Sequence, residues 1–213
     1  MVNNHCIPTF AEEKALQKEG YRLIAGVDEV GRGALIGPVV AAAVILPHHI
    51  RNRWRHKVRD SKQLNPATRE LLSDRIQEVA VSVGIGLSSP DVIDTEGIAK
   101  ATRLAMKSAI DQLSPQPQYL LIDYVRLTEV PLPQKGITDG DSLCFSIACA
   151  SIVAKVARDR IMVELDGVYP GYGLARHKGY GTREHLACLR RHGPCPIHRS
   201  SFQPVREMIN QGR

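Results

Sequence analysis

The chain is 213 residues long and carries 28 Lys and Arg against 22 Asp and Glu, a formal net charge of +6. This length allows one large domain whose core needs no disulfide, and the positive balance favours a polyanionic partner without establishing one. The five cysteines, Cys6, Cys144, Cys149, Cys188 and Cys195, are odd in number and form no C-x-x-C pair, which excludes the usual framework of small disulfide-rich secreted domains and reads as reduced cytosolic thiols.

No internal repeat or low-complexity stretch divides the chain, so one domain over residues 1–213 is the simplest organisation. The N-terminus holds Glu12 and Glu13 and no cleavable apolar region, and the expected location is cytoplasmic. Tyr21–Asp28 and Val39–Leu46, rich in Val, Ile, Leu and Ala with turn residues between, read as neighbouring strands. The longest apolar run, Ile36–Leu46, contains Gly37 and Pro38 and is too short to span a bilayer, so no membrane partner is expected. His48–Arg59 is a basic loop carrying the only Trp, Trp54. Asn65-Pro66 is a helix cap followed by proline at the first helical position, and Leu71, Leu72, Ile76 and Val79 then recur at helical spacing. Val79–Leu87 is the next strand.

Ser89-Pro90 repeats the cap signal, and Ile98, Thr102, Ala105, Met106, Ala109 and Leu113 trace an apolar helical stripe. Past a turn at 114–117, Tyr119–Ile122 is a short strand that delivers Asp123 at its end. The Ala-rich segment Cys144–Leu165 has helical character, and Thr182 can cap another helix ending near Gly193. From there onward Cys188, His192, Cys195 and His198 alternate two zinc-ligand types, but their gaps match none of the usual finger patterns. Strands followed by helices predict an α/β layer architecture with a mixed sheet.

The acids fall at informative places. Asp28 and Glu29 end the first apolar strand, directly before Gly31, Arg32 and Gly33; Asp123 ends another; Asp141 lies in a Gly-rich turn before the long helix. If those strands are neighbours, several carboxylates converge on one sheet edge, where their repulsion calls for a cation. Hard oxygen ligands suit Mg²⁺ or Mn²⁺ rather than zinc. Adjacent residues of a regular strand face opposite ways, so the strand is expected to break, bulge or end at Asp28-Glu29. Read alone, the same acids also fit a solvated turn pair and a capping residue.

The stretch Ala25-Gly-Val-Asp-Glu-Val-Gly-Arg-Gly33, followed by Gly37-Pro38-Val-Val-Ala-Ala-Ala-Val44, closely resembles the opening of the ribonuclease HII family. The match continues through Asp60-Ser61-Lys62-Gln63-Leu64, Tyr119-Leu-Leu-Ile-Asp123, Gly140-Asp141, Ala150-Ser-Ile-Val-Ala-Lys155, Arg158-Asp159, His177-Lys-Gly-Tyr180, His198-Arg199 and Ser201-Phe202. The resemblance implies a ribonuclease-H-like fold, a mixed sheet flanked by helices over about 21–166, with a helical substrate-contacting part at 167–213. It implies that Asp28, Glu29, Asp123 and Asp141 hold divalent ions, Mg²⁺ or Mn²⁺. These would hydrolyse the RNA strand of RNA/DNA hybrids, and cut at ribonucleotides embedded in duplex DNA, leaving 5′-phosphate and 3′-hydroxyl ends. The Gly31-Arg32-Gly33 loop would contact the 2′-hydroxyl and Tyr180 would pack on the following sugar; Lys62, Lys178 and Arg199 are the candidate phosphate contacts. Lys155 could instead fix a neighbouring acid, and His177 could carry a proton or make a structural hydrogen bond.

The chain departs from the family pattern at Tyr124, where a small residue is usual, and at Asp139-Gly140-Asp141 and Leu143-Cys144, which add acidity and bulk beside the fourth acid. Three other readings remain: a noncatalytic hybrid-binding module of the same fold, a ribonuclease HIII-like enzyme, and a DNA nuclease of similar fold. Ribonuclease HIII would carry a further N-terminal domain, for which the stretch before the first strand is short. No obligate protein partner is visible, and residues 208–213 show no sliding-clamp peptide.

Overall fold

The computed structural model describes residues 7–50 and 53–211, so Cys6 and part of the basic loop lie outside the described residues. In chain order the elements are α1 (Ala11–Lys18), β1 (Ile24–Val30), β2 (Val39–Ile45), α2 (Pro66–Val79), β3 (Ser82–Ser88), α3 (Pro90–Glu96), α4 (Ile98–Asp111), β4 (Tyr119–Asp123), β5 (Gln134–Ile137), α5 (Gly140–Leu143), α6 (Phe145–Val168), α7 (Leu174–His177), α8 (Arg183–His192) and α9 (Val205–Gln211). The sheet order is β3-β2-β1-β4-β5, with β1 antiparallel to β2 and parallel to β4, which gives the mixed sheet expected.

The caps act as the sequence predicts. The Asn65 side chain accepts from Thr68 N, Ser89 from Val92 N and Thr182 from His185 N, and α8 stops at Gly193, whose φ is +71°. Gly97, at φ +78°, breaks the segment after Ser89 into two helices, so the apolar stripe belongs to α4 alone. That stripe, Ala101, Ala105, Met106 and Ala109, packs on Ala25, Val27, Ala41 and Ala43 of one sheet face. The other face, through Ala42 and Val44, meets Leu72 and Ile76 of α2 and Ala148, Cys149 and Ile152 of α6. Leu71 points outward, because the buried stripe of α2 runs through Leu72 and Ile76. Close packing depends on small residues here: a Cβ at Gly26 would collide with the Ser146 backbone of α6, and one at Gly84 or Gly86 with carbonyls of α4. Among the described residues no helix is long and apolar enough to cross a membrane.

Helix α1 and the edge strand β5 escape the sequence reading. Helix α1 docks at the start of α6, where Glu13 is buried and its Oε1 accepts from Ser146 N at 2.7 Å. A carboxylate from a distant element thus caps a helix whose own N-cap, Cys144, makes no side-chain cap. At the C-terminal end, α7, α8 and α9 build two small apolar clusters around Leu35 and Ile36, the residues that follow the Gly31–Gly33 turn.

Candidate active site

Asp123 is the last residue of β4, and Asp28 lies two residues before the end of the adjacent parallel strand β1. The last registered pair is Val27 with Ile122, so both carboxylates stand one residue further on and face α6. Contrary to expectation, β1 neither breaks nor bulges at Asp28-Glu29: its pairing with β2 runs regularly through Glu29↔Ala41 and Val30↔Val40. Glu29 reaches the same side because β4 stops at Asp123 and leaves it no neighbour there. Asp123 Oδ1 accepts from Gly140 N at 2.7 Å, which ties the turn holding Asp141 to the end of β4. All four acids line one cavity of about 540 Å³, together with Gly31, Arg32, Gly33, Lys62 and Tyr180.

Burial dominates the electrostatics of this cluster. It pushes the Asp28 carboxyl well above the usual range, and the charges of Glu29 and Asp123 push it further. Burial likewise raises Glu29, against the nearby Arg32 guanidinium, and raises Asp123, against the Gly140 N–H. Asp141 is raised by burial and by Asp60, with Lys62 opposing; Lys62 Nζ lies 3.5 Å from its Oδ2. The Lys62 ammonium is lowered by burial, but the carboxylates of Asp141, Asp60 and Asp28 outweigh that and raise it overall.

Such a cluster is suited to a hard divalent cation, since all its donors are carboxylate oxygens and Glu29 Oε2 is buried without a hydrogen-bond partner. Among the described residues, no three His, Cys, Asp or Glu side chains stand close enough together to grip an ion as they are, as expected of like charges of which Glu29 and Asp141 have Arg32 and Lys62 as ion-pair partners. Sequence reasoning missed three members of the site. The Ser151 hydroxyl stands on the Asp28 side of the cavity, where it favours the charged carboxyl, and lies 3.0 Å from the Ser61 hydroxyl, a buried pair beside the acids; Arg69 lines the cavity rim. Ser61 and Ser151 sit inside the matched motifs, but nothing local marks them as partners.

The expected phosphate contacts divide. Lys62 is 79% exposed beside the acids, and Lys178 lines an adjoining hollow of about 790 Å³, its Nζ on Ala175 O. Arg199 is a correction: it is fully buried and donates to the carbonyls of Gly31, Arg32 and Gly37, so it holds the loop from beneath and reaches no phosphate. Lys155 pairs with Asp159 at 2.5 Å. Tyr180 borders both hollows with the Arg158 guanidinium 5.5 Å from its ring centre, and does not fill a gap beside Tyr172, which is buried against His192 and His198. Every described non-glycine residue in the left-handed region borders the site: Tyr124 follows Asp123, Asp139 precedes Gly140-Asp141, and Lys178 precedes Gly179-Tyr180. Strain of this kind persists only where surrounding contacts enforce it. Tyr124 is 70% exposed, so its bulk leaves Asp123 in place.

His177 makes structural hydrogen bonds. Its Nδ1 accepts from Gly179 N, so Nε2 carries the proton and donates to Tyr172 O. Behind it, His198 accepts from Cys195 N and so donates through Nε2 to His185, whose Nδ1–H donates to Tyr180 O. Each ring is therefore neutral. Burial, reinforced by His185, pushes His198 down to about 4 from an ordinary 6.5. The unfolded chain then takes up a proton first as pH falls, so stability present above 6.5 is lost between about 6.5 and 4, up to about 3 kcal/mol. Thermal melts should show His198→Gln with a shallower fall of Tm across that window than the unaltered chain; parallel slopes would refute the neutral relay.

A mixed sheet in this order, with acids at the ends of its central parallel strands and a basic rim, defines a ribonuclease-H-like protein with a carboxylate centre. The family model for Ribonuclease HII matches residues 25–205, and a Ribonuclease HII of Dehalococcoides mccartyi is 58% identical over 203 residues, 95% of this chain and 96% of that one. The chain belongs to the ribonuclease HII family of divalent-metal-dependent ribonucleases H, endonucleases that act on RNA/DNA hybrids. Among solved structures, the ribonuclease H2 of Pyrococcus horikoshii superimposes with a TM-score of 0.75 at 26% identity, covering 89% of this chain and 98% of that one. An RNase HII of Archaeoglobus fulgidus, solved in a complex with PCNA, follows at 0.70 and 27%, covering 85% and 95%. The ribonuclease HIII-like reading is set aside by the 58% identity to a Ribonuclease HII.

Proposed function

We propose that Asp28, Glu29, Asp123 and Asp141 hold Mg²⁺ or Mn²⁺ and that the chain hydrolyses the RNA strand of RNA/DNA hybrids and cuts at ribonucleotides embedded in duplex DNA. The observation that carries this reading is the convergence of four acids on one cavity whose wall is the Gly31–Gly33 turn and Tyr180. When bound, the ions supply Lewis acidity to the scissile phosphate and acidify the attacking water. The Glu29 N–H fixes the Asp28 carboxyl, with the Ser61–Ser151 hydroxyl pair beside it, and Gly140 N–H fixes that of Asp123. Lys62 presents its ammonium to a phosphate from beside Asp141, and Arg32 does so from beside Glu29. No side-chain nucleophile is required, and both nitrogens of His177 are engaged, which leaves it no proton to carry. Residues 167–213 form the substrate-contacting part, through Tyr180 and Lys178 in the hollow beside the acids. Hydrolysis would leave 5′-phosphate and 3′-hydroxyl ends.

The test is incision of a labelled DNA duplex containing one ribonucleotide, beside an all-DNA duplex and a continuous hybrid. Cleavage should require the ribonucleotide, stop in excess EDTA and return with Mg²⁺ or Mn²⁺. Binding without products would leave the noncatalytic module, and cutting of the all-DNA duplex a DNA nuclease. In the same assay Tyr180→Ala should lose roughly fivefold to a hundredfold at the single ribonucleotide, the range of a lost stacking contact of about 1–3 kcal/mol. Unchanged incision by that variant would remove Tyr180 from substrate contact.

A further inference from the structure

Arg158 and Arg199 are the two largest side chains that the fold buries completely, each 0% exposed. Among the described residues neither has a carboxylate within ion-pair distance. Burying a cation costs several kcal/mol unless its donors are satisfied. Here six backbone carbonyls do so. Arg158 donates to Pro38 O at 3.0 Å, Lys178 O at 2.8 Å and Ile36 O at 3.3 Å; Arg199 donates to Gly37 O at 3.0 Å, Arg32 O at 2.8 Å and Gly31 O at 2.8 Å. The two forks therefore join the Gly31–Gly33 turn, the 36–38 segment and the Lys178–Tyr180 segment, none of which has a strand ladder of its own to fix it.

The direction of those bonds matters more than their number. In a trans peptide, the C=O of one residue and the N–H of the next point opposite ways. Arg199 draws the carbonyls of Gly31 and Arg32 inward, so the amides of Arg32 and Gly33 point outward, on the exposed side of the turn that lines the cavity. Neither amide donates to any described protein group. Two consecutive free amides backed by buried positive charge make a donor pair for a substrate oxygen.

We propose that Arg158 and Arg199 are positioning residues for ribose recognition, buried forks that aim the Arg32 and Gly33 amides at the ribonucleotide's sugar and the Tyr180 ring at the sugar that follows it. The inference rests on the function proposed above and adds how the recognition surface is held. Affinity measured in EDTA for two duplexes that differ by a single 2′-oxygen, one all-DNA and one with a single ribonucleotide, tests it without cleavage. The unaltered chain should prefer the ribonucleotide. Arg158→Lys and Arg199→Lys keep the charge and lose the fork, so the preference should shrink about tenfold, the worth of one well-placed hydrogen bond, while affinity for the all-DNA duplex holds. Partial unfolding cannot imitate this, because it lowers both affinities alike and leaves their ratio unchanged. Arg158→Met and Arg199→Met should show the same loss; if they fail to fold, the Lys variants decide. A full preference in both Lys variants would overturn the inference alone, and an equal loss on both duplexes counts as such, since it leaves the preference intact. No preference in the unaltered chain would overturn the function it rests on as well.

Discussion

Asp28→Asn and Asp123→Asn should each lower single-turnover cleavage of a single-ribonucleotide duplex by more than about a hundredfold, since even the outer partners of metal ligands cost about 10–100-fold when removed. Circular dichroism should be unchanged, because neither carboxyl packs an apolar core. A second readout separates this site from a structural one. Asp28 sits with its carboxyl raised by burial and by Glu29 and Asp123, so in the metal-free protein the folded state holds a proton that the unfolded chain has released. Stability is therefore lost as pH rises from the ordinary carboxylate range through the raised one, and at neutral pH the cluster opposes folding. Asp28→Asn should raise the metal-free Tm at pH 7 and abolish most of the further rise on adding Mg²⁺. Near-normal turnover at saturating Mg²⁺, or a metal-free Tm lowered by the substitution, would remove Asp28 from the centre.

The glycines of the recognition turn should behave in opposite ways. Gly31 has φ +93°, and a Cβ there would run into the Arg158 guanidinium; Gly33 has no positive φ and nothing within 4 Å of its missing Cβ. Gly31→Val should thus cost about 2–4 kcal/mol of stability through left-handed strain and a clash with a buried side chain, and cleavage should fall with it. Gly33→Val should melt within about 1 °C of the unaltered chain, since it displaces no protein atom, yet weaken binding of the single-ribonucleotide duplex about tenfold or more by putting a side chain where substrate must approach. Equal destabilisation by both would show that the open space at Gly33 is not real. Full binding by Gly33→Val would move the substrate elsewhere. The absent side chain of Gly31 makes room for Arg158, whereas that of Gly33 leaves space in the cavity.

What could be read in advance followed from local signals. Asn65-Pro66, Ser89-Pro90 and Thr182 fixed helix starts because a cap is satisfied within three residues, and Asp123 was placed because an apolar run ends there. Strand β5, Gln134-Lys135-Gly136-Ile137, escaped because an edge strand can be polar, and its pairing to β4 is not written in its own composition. Helix α1 escaped because its few buried residues include Glu13, whose partner lies 133 residues away. The four acids stand out by their places at strand ends and in a Gly-rich turn, and the resemblance of their motifs joins them into one site; the face each carboxyl takes is not legible, since it depends on where the neighbouring strand stops. Arg199 was misread for the same kind of reason. An arginine in a motif looks like a surface cation, and only the fold shows three inward carbonyls waiting for it.

Helix α6 runs beneath all of this. Successive turns present Ser146 to β1 at Gly26, Ser151 to Asp28, Arg158 to Gly31 and Met162 to Gly37. Ser151, beside Asp28, and Arg158, beneath Gly31, are thus about two turns apart, roughly 10 Å along a single rod. Under the proposed function, the offset between the bond cut and the sugar sensed is a caliper setting, gauged by helical pitch. One residue inserted between Ser151 and Arg158 would swing the second jaw by about 100° and shift it by about 1.5 Å, closing the instrument on nothing.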